Sequence, residues 1–345
     1  MSKPVTGSAG SPPPLGVIDV HTHAIGTRLP DLSALPGCWP SIELLDPHRA
    51  RILLGGRPYR EIDDRCWSSE RRLADMDAEG VAAQVVSPIP VTLCHDQPAE
   101  GARILAAAQN DALAALIAEA PNRLYALGAV PLQDPDAAVA ELSRCVDELG
   151  FLGVEIGTRV GARELADPAF DDFFAAAAER SALVLVHPVD TTLDPRTSAL
   201  GLAFGLGMPM ETTTAAAALL TGRPRTPGVR MCLAHGGGAL PAVLPRLDRG
   251  AVLAGADGPA PSVRARDLWC DSLTYDAAAL GLAIDRFGAE HVLLGSDYPF
   301  AARETPPGAV LETFSDELTA AIRHGNAAEL IATVRALAGP AATRR

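Results

Sequence analysis

The chain has 345 residues, 48% of them hydrophobic and 21% charged, with a formal net charge of −13. That length and apolar content suit one large α/β barrel with extended loops, or two smaller domains. The negative balance argues against nucleic acid or an anionic membrane surface as partner. Lys3 is the sole lysine among 29 basic residues, which excludes a Schiff base, a pyridoxal anchor or a carboxylated lysine bridging two metals within the fold.

Residues 1–16 are rich in Ser, Gly and Pro and read as a disordered N-terminal tail without the apolar segment of a signal peptide. The run Val17-Ile18-Asp19-Val20-His21-Thr22-His23 then reads as a short strand ending in two histidines. Side chains alternate along a strand, so His21 and His23 point the same way. Residues 24–66 are rich in Pro and Gly and read as an irregular lid or insertion, long for a connection. From Ser68 onward the pattern alternates. Helical stretches at 68–79, 98–120, 136–149, 168–180, 211–220, 240–249 and 276–287 separate apolar strands at 83–87, 124–130, 153–156, 183–186, 231–234, 268–271 and 291–295. With the first strand this makes eight β-strands alternating with helices over residues 17–338, the pattern of a (β/α)8 TIM barrel. Six cysteines are scattered without a C-x-x-C pair, which fits a reducing cytoplasm rather than a disulfide framework. No apolar stretch is long enough and free enough of helix breakers to suggest a membrane span.

Chemistry-bearing residues gather at the strand ends. His21 and His23 follow strand 1, His187 strand 5, His235 strand 6 and Asp297 strand 8. In a barrel these ends surround one mouth. Each residue alone has an ordinary reading as a strand cap, a helix cap or a loop histidine; together they form a candidate set for metal binding and proton transfer. Three imidazoles and one carboxylate suit a divalent ion, with zinc the first choice and manganese or another divalent ion the alternative. His48, His95, His291 and His324 read as loop or surface histidines.

Several stretches carry a family resemblance. They are Ile18 to His23, Arg60 to Trp67, Gly207 to Thr213, Ala234 to Ala239 with Pro241, Leu294 to Phe300, and Asn326-Ala327. Through them the chain resembles the amidohydrolase superfamily, and within it the aminocarboxymuconate-semialdehyde decarboxylase family. The resemblance implies one zinc ion per chain on His21, His23, His187 and Asp297, with His235 transferring protons. It implies that Arg60 grips a substrate carboxylate and that Arg246 does so in the neighbouring subunit's site, hence a homodimer. Phe300, closing the stretch from Leu294, is grouped with the substrate-binding residues. The implied activity is metal-dependent, non-oxidative decarboxylation of an unsaturated or aromatic carboxylic acid; the alternative is hydrolysis of an amide or lactone, as elsewhere in the superfamily.

One departure bears on substrate. The family's His-Pro-Trp after strand 5 is His187-Pro188-Val189 here. If the extended direction persists through Pro188, Val189 looks toward the mouth, and a valine there leaves a wider pocket than a tryptophan.

Overall fold

The computed structural model describes residues 16–222 and 226–338, so the tail expected over residues 1–16 lies outside the described residues except for Gly16. Strand β1 is Val17–Ala24. Three strands precede the next barrel strand: β2 (Pro40–Asp46), β3 (Arg49–Leu54) and β4 (Arg57–Asp63). The barrel continues with β5 (Val81–Pro88), β6 (Leu124–Ala129), β7 (Gly153–Gly157) and β8 (Leu183–His187). It is completed by β9 (Arg230–Leu233), β10 (Trp269–Asp271) and β11 (Val292–Leu293). These last seven strands and β1 form one eight-stranded parallel sheet in the order β1-β5-β6-β7-β8-β9-β10-β11.

The sheet closes on itself beyond β11. Val20 N–H donates to the Leu294 carbonyl (2.9 Å) and His23 N–H to the Tyr298 carbonyl (2.7 Å). Asp19, fully buried, accepts from Ser296 N (3.1 Å) and Ser296 Oγ (2.5 Å), which ties the first strand to the segment after the last. The (β/α)8 architecture expected from the alternation is therefore the one present.

Between the strands run α1 (Ser69–Glu79), α2 (Ala99–Ala118), α3 (Pro135–Ser143), α4 (Asp171–Glu179), α5 (Met208–Thr221), α6 (Leu240–Leu253) and α7 (Ala277–Phe287). Helix α8 (Asn326–Ala338) follows the last strand. Their ends carry local signals: Ser68 caps α1 by accepting from Arg71 N, and Asp134 caps α3 with Pro135 at its first position. The core lies between strands and helices, with Leu127, Leu185, Phe173 and Phe287 all at most 1% exposed.

The expectation of an irregular segment at 24–66 is corrected. Strands β2, β3 and β4 form a three-stranded antiparallel sheet. Its inner residues Ala50, Ile52 and Ile62 pack on Ile25, Ile89 and Val91, with Phe300 alongside. Arg51 on its outer side pairs with Glu43 (3.1 Å) and Glu61 (2.8 Å) on the two flanking strands. The turn between β3 and β4 is Gly55-Gly56 with φ of 53° and 77°, values that two adjacent residues with side chains rarely adopt. Opposite Ile52 and Leu53 the register slips: they pair with Arg60 and Pro58, leaving Tyr59 as an extra residue. Such a bulge re-aims the side chains beside it.

Candidate metal centre and active site

Strand β1 carries both His21 and His23 inside its hydrogen-bonded length, and both are 0% exposed. Alternation sends them into the barrel's mouth, as expected. His21 Nε2 lies 3.1 Å from His23 Nε2, and Asp297 Oδ1 lies 3.2 Å from His23 Nε2 and 3.8 Å from His21 Nε2. The ring of His187, at the end of β8, stands 5.0 Å from that of His21 and 5.2 Å from that of His23. One donor atom from each of these four residues falls within 4.8 Å of every other.

The outer nitrogens decide what the inner ones can do. His21 Nδ1–H donates to Asp271 Oδ2 (2.6 Å), His23 Nδ1–H to the Pro88 carbonyl (2.9 Å) and His187 Nδ1–H to the Pro188 carbonyl (2.7 Å). Each acceptor fixes the proton on Nδ1, so each Nε2 presents a lone pair to the centre. His187 Nε2 is buried without a partner. Burial disfavours the charged form of His23 and His187 and holds both below the usual imidazole range. Burial pushes the other way on Asp297, but its contact with His23 and the nearby His21 and His235 together outweigh this and hold the carboxyl below the usual carboxylate range. Three lone pairs and one carboxylate, short of partners and 4.8 Å or less apart, fit a divalent cation.

Asp271, at the end of β10, serves two neighbours. Besides His21 it accepts from the backbone N–H groups of His235 (2.9 Å), Gly236 (2.9 Å) and Leu273 (3.0 Å). His235 thereby stands beside the ligand set, its ring 4.9 Å from that of His187 and 5.3 Å from that of His21. Its Nδ1 is buried without a hydrogen-bond partner. Burial lowers its pKa below the usual imidazole range. His235 and Asp297 both adopt left-handed backbone (φ 58° and 67°), a costly conformation that the surrounding bonds hold in place. Below them Gly295 leaves no room for a side chain: a Cβ there would lie 2.7 Å from His21 Cβ and 2.9 Å from Asp271 Cβ.

A cavity of about 430 Å³ opens above this group, lined by His187, His235, Asp297, Phe300, Arg60, Tyr59 and Asp190 among others. Phe300 lies 5.3 Å from the His23 ring, and the Arg60 guanidinium sits 4.9 Å over Phe300. Arg60 Nη2 donates to Asp190 Oδ2 (3.0 Å), the oxygen to which Tyr59 Oη also donates. A second recess of about 300 Å³, lined by Met208, Pro241, Leu273 and Tyr275, shares His235 with the first.

The candidate residues divide accordingly. His21, His23, His187, Asp297, His235, Arg60 and Phe300 converge on one cavity. Arg246 lies on the exposed side of α6, outside the lining of that cavity within one chain. Val189 is corrected. Its backbone is extended (φ −115°, ψ 128°), but the side chain is buried with Leu93, Ala106 and Ala129 and lies outside the cavity lining. His95 is also corrected, from surface to core: it is 6% exposed, donates from Nε2 to the Val130 carbonyl (3.1 Å) and accepts from Gly157 N at Nδ1 (3.3 Å).

Sequence reasoning passes over Asp271, Glu155 and Asp190, and reads Tyr59 only as a packing residue. Asp271 ends a strand just as the ligands do, which was a usable signal. Glu155 is a carboxylate inside a buried strand, 4.0 Å from His23 Nδ1, and burial lifts its pKa to about 8.

The chain matches the amidohydrolase family model over residues 18–332. It is 32% identical to the 2-amino-3-carboxymuconate-6-semialdehyde decarboxylase of Dictyostelium discoideum, covering 91% of each chain. Among solved structures it is similar to the 5-carboxyvanillate decarboxylase of Sphingomonas paucimobilis, with a TM-score of 0.74 and 25% identity over 92% of this chain and 99% of the other. The fold also matches a dihydroxybenzoic acid decarboxylase from a Polaromonas species, solved with bound manganese and 2-nitroresorcinol. There the TM-score is 0.73 and the identity 21%, over 94% of this chain and 99% of the other.

Proposed function

We propose that this chain, which belongs to the amidohydrolase family and within it to the relatives of aminocarboxymuconate-semialdehyde decarboxylase, is a metal-dependent, non-oxidative decarboxylase of an unsaturated or aromatic carboxylic acid. The observation that supports this reading is that His235 and Arg60 line the same cavity as His187 and Asp297, two members of the His21, His23, His187 and Asp297 cluster that could hold a cation. When bound at His21, His23, His187 and Asp297, a divalent ion supplies Lewis acidity for the oxygens of a substrate. Three imidazoles and a single carboxylate favour zinc over manganese, one ion per chain.

The rest is done by side chains. Arg60 retains free N–H groups suited to a carboxylate. Phe300 offers a flat apolar face to a conjugated acid. His235 takes up a proton from solvent and delivers it to the carbon that bears the leaving carboxylate. The electron pair of the carbon–carboxylate bond then returns to the conjugated system as carbon dioxide departs. The balance is one proton taken up and one carbon dioxide released, with no oxidant.

Arg246 supports a homodimer in which each chain completes its partner's site: it is exposed on α6 and has no acidic partner among the described residues. All six cysteines are free, which suits the reducing cytoplasm. No described helix is long and apolar enough to cross a membrane. The test is to load the protein with zinc, or separately with manganese, and follow carbon dioxide release from conjugated and aromatic acids. Absence of release from every acid with either metal refutes the reading.

A further inference from the structure

The cavity wall that carries Arg60 also holds a carboxylate that the reaction above leaves without a task. Asp190 lines the cavity three residues after His187. Its Oδ2 receives both Tyr59 Oη and Arg60 Nη2, the latter at 3.0 Å. Both donors reach it because the bulge in β4 makes Tyr59 an extra residue beside Arg60. The second oxygen, Oδ1, has no protein partner among the described residues, and the side chain is 27% exposed. Arg60, which also lines the cavity, likewise spends only Nη2 on protein acceptors among the described residues, leaving Nη1 and Nε without one.

A fold-stabilising ion pair is a poor account of this arrangement, since half-exposed pairs contribute little. An arginine meant only to grip carboxylates would also bind them better without an acid on its fork. The pair makes sense as a two-headed reader, with donors on Arg60 for an acceptor and Oδ1 for a donor. The two heads are in hydrogen-bond contact with each other. The groups they read must therefore sit on neighbouring atoms of one ligand.

We infer that Asp190 is a specificity-determining residue that selects acids bearing an amino or hydroxyl group next to the anionic group held by Arg60. This rests on the decarboxylase reading above and narrows its substrate class. A second carboxylate at the donor position meets Oδ1 as a like charge and is rejected, and an ether meets it as an acceptor facing an acceptor.

The test measures binding by calorimetry to the zinc-loaded protein with three aromatic acids: 2-hydroxybenzoate, 2-methoxybenzoate and phthalate. The quantity read is the ratio of dissociation constants, which removes effects common to all three. The unaltered protein prefers 2-hydroxybenzoate to 2-methoxybenzoate. Asp190→Asn keeps its carbonyl toward Tyr59 and Arg60 and turns an amide N–H2 to the ligand, so that ratio falls about tenfold and the penalty on phthalate shrinks. Asp190→Ala, with circular dichroism and metal content as folding checks, moves both ratios the same way and stands in if the asparagine variant fails to fold. Ratios unchanged in a folded variant, or no discrimination in the unaltered protein, overturn the inference. Carbon dioxide release is measured in parallel: its absence with shifted ratios removes the reaction and keeps Asp190 as the reader. Release with unshifted ratios does the reverse.

Discussion

Asp271→Asn removes a charge and almost no volume, and the structure says which bonds it breaks. The carboxylate accepts four hydrogen bonds, from His21 Nδ1 (2.6 Å), His235 N (2.9 Å), Gly236 N (2.9 Å) and Leu273 N (3.0 Å). An asparagine has one carbonyl. If that stays with Gly236 and Leu273, its N–H2 faces two donors. His21 then relieves the clash by moving its proton to Nε2, the nitrogen that faces the metal. Loss of an orienting partner of this kind weakens metal binding by about 10–100-fold, or ~1.4–2.7 kcal/mol. The assay is titration of apo-protein with zinc against a chromophoric chelator. The backbone of His235 loses an anchor at the same time, so turnover at saturating zinc falls too, which a defect of loading alone does not produce. A zinc affinity within about threefold of the unaltered protein refutes the argument that the Asp271–His21 bond sets the ligating tautomer.

Three further outcomes are expected. His235→Ala keeps its metal and loses about 10²–10⁴-fold in kcat, measured by carbon dioxide release alongside metal analysis; an apo variant would make His235 a ligand instead. Mixing inactive Arg246→Ala chains with inactive His235→Ala chains restores part of the activity, because a mixed dimer holds one site with both groups intact. No recovery despite demonstrated subunit exchange counts against a shared site. Burial lowers the pKa of His95 from 6.5 to about 4, so below pH 6.5 the unfolded chain takes a proton there that the folded chain refuses. This contribution to stability is complete above pH 6.5 and shrinks as pH falls toward 4, by about 1.4 kcal/mol per unit. His95→Gln therefore unfolds with a shallower dependence on pH across that window in urea titrations; an unchanged slope would mean that His95 is solvated in the native state.

The barrel and its candidate metal cluster were legible because both follow from simple geometric rules. Alternation aims His21 and His23 together, and closure of eight strands brings His187 and Asp297 to them. The sheet of residues 40–63 was missed although its signals were present. Ala50 and Ile52 alternate with arginines, and Leu54-Gly55-Gly56-Arg57 has the form of a two-residue hairpin turn. The density of Pro and Gly around them overrode that pattern. Asp271 was recognisable as a strand end, but its task depends on which imidazole nitrogen it meets, and only three-dimensional placement settles that. Val189 failed differently. The extended backbone matched the expectation, but where its side chain rests is set by Leu93, Ala106 and Ala129, which arrive from a loop, helix α2 and strand β6.

The bulge at Tyr59 has an evolutionary consequence. The candidate metal cluster and His235 belong to barrel strand ends, whose register is locked by neighbours on both sides. Arg60 belongs to an outer strand of an appended sheet, paired on one side only. A one-residue deletion at the bulge would restore regular alternation in β4 and exchange the side chain presented to Asp190. A small indel in the insertion would therefore change the wall around Arg60 while leaving the strand ends of the barrel in place.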